Sequence, residues 1–90
     1  MKKAIITVVG KDKVGIIAGI CTFLAKEHVN ILDITQTIVD GYFNMMMVVD
    51  LAGMVGNFNE LQSELGKLGE GLGVMASVQL EEIFERMHRL

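Results

Sequence analysis

Ninety residues suffice for one hydrophobic core and are too few for a second. A net charge of −3 excludes the broad basic field of a dedicated nucleic-acid binder. A single cysteine, Cys21, excludes an internal disulfide framework and any CxxC metal or redox motif.

Apolar residues make up 51% of the chain, a high share for a small domain with much surface per volume. Such an excess points to a subunit interface, so oligomerisation is expected before any motif is read. No apolar run reaches the length of a membrane span, and the N-terminus leads straight into a strand-like run. The expected location is the cytoplasm, whose reducing conditions suit a free thiol.

Residues 4–9, Ala-Ile-Ile-Thr-Val-Val, are β-branched and bounded by Gly10, which predicts a largely buried strand. The period then changes. Val14, Ile17, Ala18, Cys21, Leu24, Ala25 and His28 recur at three- and four-residue steps, the spacing of one helix face. Asp12 is placed to cap that helix through the amides of Val14 or Gly15, and Asn30 is a natural turn residue after its end near His28. Lys2, Lys3, Lys11 and Lys13 crowd the first strand and its turn, where they could steer a small anion or simply guard a strand edge.

Residues 31–39 predict a second strand, and Asp40-Gly41 is a strong hairpin signal. Residues 42–51 return, with Phe43, Met45, Met47, Val49 and Leu51 alternating as one apolar face. A loop over 52–57 precedes a second helix marked by Phe58, Leu61, Leu65, Leu68 and Leu72, weakened by Gly66 and stopped by the glycines from 69 to 73. Residues 74–79 predict a fourth strand. An amphipathic tail follows, with Leu80, Ile83, Phe84, Met87 and Leu90 on one stripe. Together these predict an α+β, ferredoxin-like βαββαβ sandwich with a four-stranded antiparallel sheet and an extra C-terminal helix. Residues 1–79 form the domain, and 80–90 form a helix that packs on the open sheet face or on a partner subunit.

The turn Gly10-Lys11-Asp12-Lys13-Val14-Gly15-Ile16 is the most informative stretch. A glycine-bearing strand-to-helix turn directs backbone amides outward at the positive end of a helix, where a carboxylate can bind. An acidic side chain beside it can meet an ammonium group. Gly10 and Gly15 have phosphate-loop spacing, but Ile16 and Ile17 stand where that loop needs Lys and Ser or Thr. Met45, Met46 and Met47 cannot converge on a soft metal, since neighbouring strand residues face opposite ways. No metal or other cofactor is expected.

These residues, with Asn30-Ile31 opening the second strand and Asp33-Ile34-Thr35-Gln36 within it, resemble those of ACT domains, small regulatory modules of amino-acid metabolism. ACT domains commonly read D-R/K-P-G in the first turn. This chain has Asp12-Lys13-Val14-Gly15, and without the proline its turn is less rigid. The chain is most similar to standalone ACT proteins that carry no catalytic domain. The resemblance implies a non-enzymatic module binding an amino acid or similar metabolite between the two copies of a homodimer.

Carried over by position, Asp12 meets the ligand ammonium, and the amides around Val14, Gly15 and Ile16 hold its carboxylate. Asn30 bridges either group, and Ile31 contacts the side chain. Each position also has a plainer reading: Asp12 as a helix cap, Asn30 as a turn residue, Gly15 as a packing glycine.

Three further readings compete. A ligand-free interaction subunit would use the sheet and tail to join a separate enzyme or regulator. RNA-recognition motifs share the element order, but they need aromatics on both central strands, and the first strand has none. Acylphosphatases share it too, yet rely on a turn arginine that is absent here. No acid–base pair or activated nucleophile points to an enzyme, and neither nucleic acid nor membrane is an expected partner.

Overall fold

The computed structural model describes residues 2–11 and 13–87. The elements in order are β1 (Lys3–Lys11), α1 (Ile16–Lys26), β2 (Asn30–Val39), β3 (Tyr42–Asp50), α2 (Phe58–Leu72), β4 (Val74–Leu80) and α3 (Glu81–Met87). The four strands form one antiparallel sheet in the order β2-β3-β1-β4. Thus α1 carries the chain past β3 and α2 carries it past β1, which is the predicted α+β βαββαβ arrangement.

Alternation builds the core. Ala4, Ile6 and Val8 of β1 and Phe43, Met45, Met47 and Val49 of β3 face the helices and are buried. Ile20 and Leu24 of α1 and Leu61 and Leu65 of α2 close over them. The three consecutive methionines divide as a strand requires: Met45 and Met47 lie in the core, and Met46 is exposed on the opposite face.

The α1 stripe differs from the one the spacing suggests. Ile16, Ile20 and Leu24 are its buried residues, whereas Val14 precedes the helix fully exposed, and Ile17, Ala18 and Ala25 are exposed. Apolar side chains occupy nearly every side of this segment, so two faces fit the period; the start of the helix decides between them. That start is Gly15, in the left-handed region at φ 93, with no side chain to act as a cap. Gly15 thus holds the N-cap position, and Asp12 lies outside the described residues. The helix also ends before His28, which takes a left-handed φ of 58.

Other boundaries move for identifiable reasons. β2 begins at Asn30 and contains a bulge between Ile31 and Asp33, so Leu32 is an extra residue. The bulge moves Asp33 onto the open face opposite Val48 and leaves Ile31 on the helix side opposite Val49.

α2 does not stop at Gly69 but runs on to Leu72, with Gly73 closing it at φ 76. Gly69 is buried against β4, where a Cβ would sit 2.9 Å from the Val74 carbonyl oxygen. Here glycine serves close packing rather than helix termination. Asn57 caps the other end of α2, its Oδ1 accepting from the Glu60 amide at 2.9 Å while its amide donates to Glu60 Oε1 at 3.0 Å.

Leu80 belongs to β4 rather than to the tail helix. α3 begins at Glu81 and packs against β1 and β4. Leu90, the last residue of the expected tail stripe, lies outside the described residues.

Candidate ligand site at the first turn and the second strand

β1 ends at Lys11, and α1 begins five residues later at Ile16. The first i→i−4 bond of α1 runs from the Gly19 amide to the Gly15 carbonyl at 2.9 Å. The amides of Ile16, Ile17 and Ala18 precede it and therefore lack a helical partner by geometry. Gly15 supplies no capping side chain, no acidic residue lies in the first turn of α1, and no described atom comes within 4 Å of where a Gly15 Cβ would stand. Among the described residues, no acidic side chain in the first turn of α1 offsets the partial positive charge of this helix N-terminus.

The second half of the predicted site is elsewhere. Asn30 is exposed at the start of β2, opposite Asp50, which in turn faces Lys3. Val39, at the other end of β2, lies opposite Tyr42, which faces Lys11 beside the first turn. Strand rise over that separation is roughly 30 Å. One chain therefore keeps Asn30 and Ile31 far from Val14, Gly15 and Ile16. Ile31 is half-buried against the core, and Ile16 points its side chain into it.

A model of the ACT domain matches residues 2–79 of the sequence. The chain belongs to the ACT domain family. A UPF0237 protein of Bifidobacterium longum is 57% identical over 90 residues, covering 100% of each chain. One from Methanocaldococcus jannaschii is 48% identical over 90 residues, again covering 100% of both. Among solved structures, an ACT domain protein from Streptococcus pneumoniae superposes with a TM-score of 0.82 at 46% identity, covering 93% of this chain and 94% of that one. A formyltetrahydrofolate deformylase from Pseudomonas syringae matches with a TM-score of 0.81 at 17% identity, over 89% of this chain and 28% of that one. The latter is a likeness of fold alone.

This ACT domain has two features that spacing did not reveal. Lys13, in the first turn, lays its ammonium against Gly73 at the C-terminus of α2, occupying the space a Cβ would need. A cation there complements the negative end of the helix and ties the turn to the α2–β4 junction. The sequence signal was available: a turn lysine and a helix that ends in Gly-Leu-Gly.

The second feature is a shallow concavity of about 190 Å³ on the open sheet face, lined by Thr7, Val9, Thr35, Thr37, Asn44 and Met46 among others. The six residues named share one side of three strands, so only the strand order could bring them together. Among the described residues, no three His, Cys, Asp or Glu gather as a metal site, and no helix is long and apolar enough to cross a membrane.

Proposed function

We propose that this ACT domain is a non-enzymatic regulatory module that binds an amino acid or similar small metabolite between two copies of itself. The observation that carries the reading is the N-terminus of α1, headed by a left-handed glycine where, among the described residues and chain neighbours apart, nothing stands within 4 Å of a Cβ position. Backbone amides and helix dipole together favour a carboxylate there. In this reading Asp12 receives the ammonium group, the amides of Val14, Gly15 and Ile16 hold the carboxylate, and Asn30 and Ile31 come from the second copy.

The edge of β2 supports such a partner. Residues 32–39 are all exposed, on both faces of the strand, and include Leu32, Ile34, Ile38 and Val39. The strand has no lysine or proline, the residues that usually blunt an edge. Antiparallel pairing of two such edges would bring Asn30 of one chain beside the partner's Val39, at the end of the sheet where the partner's first turn departs. A distance that a single chain cannot bridge then closes across the seam.

Ligand at that seam stabilises one arrangement of the two chains, and its differential affinity is the signal. With so few heavy atoms the ligand binds modestly, with Kd of roughly micromolar to millimolar by ligand-efficiency limits. The exposed β2 edge also suits a second reading, in which assembly occurs without a ligand. Isothermal calorimetry against the common amino acids, run beside sedimentation, separates the two. Heat from a defined amino acid supports the sensor; silence across the panel with assembly intact favours the ligand-free subunit.

A further inference from the structure

The first turn is gripped from outside by three consecutive residues. Leu72, Gly73 and Val74 join α2 to β4, and each meets a different point between the end of β1 and the first turn of α1. Val74 lies against Gly10, where a Cβ would stand 2.8 Å from its Cγ1 and 3.0 Å from its Cα. Leu72 lies against Gly19, where a Cβ would stand 3.0 Å from its Cδ1. Between these two contacts, the Lys13 ammonium fills the place of a Gly73 Cβ.

Each contact has a reason in the sequence. Glycine at 10 and at 19 removes the side chain that would push the junction away. Gly10 and Val74 are partners in the β1–β4 ladder, so the sheet itself brings the junction to the mouth of the turn. The Gly19 amide makes the first helical bond of α1, so Leu72 packs on the residue that fixes where this helix starts. α2 has no basic residue in its last turn and carries Glu70 near its end. Its negative end therefore takes a cation from elsewhere, and Lys13 supplies it.

The turn needs such a hold. Val14 is fully exposed, and Gly15 takes its left-handed angle with no side chain to anchor it. The chain contains no proline, so no ring fixes a φ between β1 and α1. A lysine bound at a neighbouring helix end limits the same freedom through charge.

We propose that Lys13 is a positioning residue. Docked on the α2–β4 junction, it holds the first turn in the arrangement that presents the α1 amides, and it does not touch the ligand. The ligand half of this statement rests on the sensor reading above; the docking does not.

Hydrogen exchange followed by NMR, without ligand, tests the docking. The Gly19 amide reports opening of the turn, and the amide of fully buried Met47 in the central strand β3 reports unfolding of the whole chain. A charge at an exposed helix end shifts a local equilibrium by about two- to fivefold. Lys13→Met should speed Gly19 exchange by that factor relative to Met47, and Lys13→Arg should restore the slow rate. Gly73→Asn accepts the left-handed angle but places a Cβ where the ammonium lies. It should match Lys13→Met, and the double variant should be no faster than either. Gly71→Ala, with nothing within 4 Å of its new Cβ, should leave Gly19 unchanged. About 0.5 M salt, which shortens the screening length to roughly 4 Å, should speed Gly19 exchange in the wild type and not in Lys13→Met.

Calorimetry with an amino acid that the wild type binds tests the positioning. Affinity should fall by about twofold or more in both Lys13→Met and Gly73→Asn, because fewer chains hold the turn ready. A fall in Lys13→Met alone would make Lys13 a ligand contact and overturn the positioning role. Equal Gly19 exchange in Lys13→Met and the wild type would overturn the docking. A wild type silent to every amino acid, with the exchange differences intact, would count against the sensor reading and support the docking.

Discussion

The glycines of α2 allow one substitution to be tried in opposite contexts on a single helix. Gly66 and Gly69 both lie inside Phe58–Leu72, and neither has a positive φ. Alanine is favoured over glycine in a helix interior by about 0.8–1 kcal/mol. At Gly66 nothing stands within 4 Å of the new Cβ, so Gly66→Ala keeps that whole gain. At Gly69 the Cβ would meet the Val74 carbonyl oxygen at 2.9 Å, the Ala76 Cβ at 3.1 Å and the Ala76 amide nitrogen at 3.2 Å.

Two of those three atoms are backbone of β4, so relief requires the helix to lift from the sheet. Overpacking of this kind costs about 1–3 kcal/mol, which outweighs the propensity gain. Thermal unfolding followed by circular dichroism should therefore place Gly66→Ala above the wild type by about 4–8 °C and Gly69→Ala below it. A Gly69→Ala protein as stable as Gly66→Ala would refute the claim that a glycine sets how closely α2 sits on β4.

Asn57→Ala removes the α2 cap and should lower stability by about 1 kcal/mol in urea unfolding, with Glu60→Ala costing less. Gly15→Ala meets no steric contact but forces a side chain to φ 93, so it should cost about 1–2 kcal/mol from the backbone alone and also weaken any ligand heat. Met47→Ala empties a fully buried core position and should cost about 2–5 kcal/mol, a large part of the total for a 90-residue domain. Ile38→Lys puts a charge on the exposed β2 edge; it should weaken edge pairing by about tenfold in sedimentation without lowering the melting temperature.

The fold was legible because its strongest signals are local. Alternation over residues 42–49, the Asp40-Gly41 turn and the leucine spacing of α2 each allow one answer. α1 shows where such reasoning ends, since Ile16, Ile17, Ile20, Leu24 and Ala25 suit two faces and only a backbone angle at Gly15 selects one. The Leu32 bulge left no mark in composition, because an extra apolar residue in an apolar strand does not break the pattern. Gly69 looked like a stop signal and is a packing site, a distinction that requires β4 to be in place.

For the candidate site, the glycines of the turn drew attention to it and the resemblance to ACT domains added Asn30, but the register shows that one chain holds them at opposite ends of the sheet. That separation has a direct consequence for a shared site. Chains carrying Asp12→Ala and chains carrying Asn30→Ala would each lack one half, and a mixed dimer would keep one intact copy. Calorimetry on the equimolar mixture, after subunit exchange, measures this. Neither variant alone should bind the amino acid that the wild type recognises, and the mixture should recover about a quarter of the wild-type sites, as random pairing requires. A mixture as silent as its components, or variants that bind unaided, would contradict a site built from two chains.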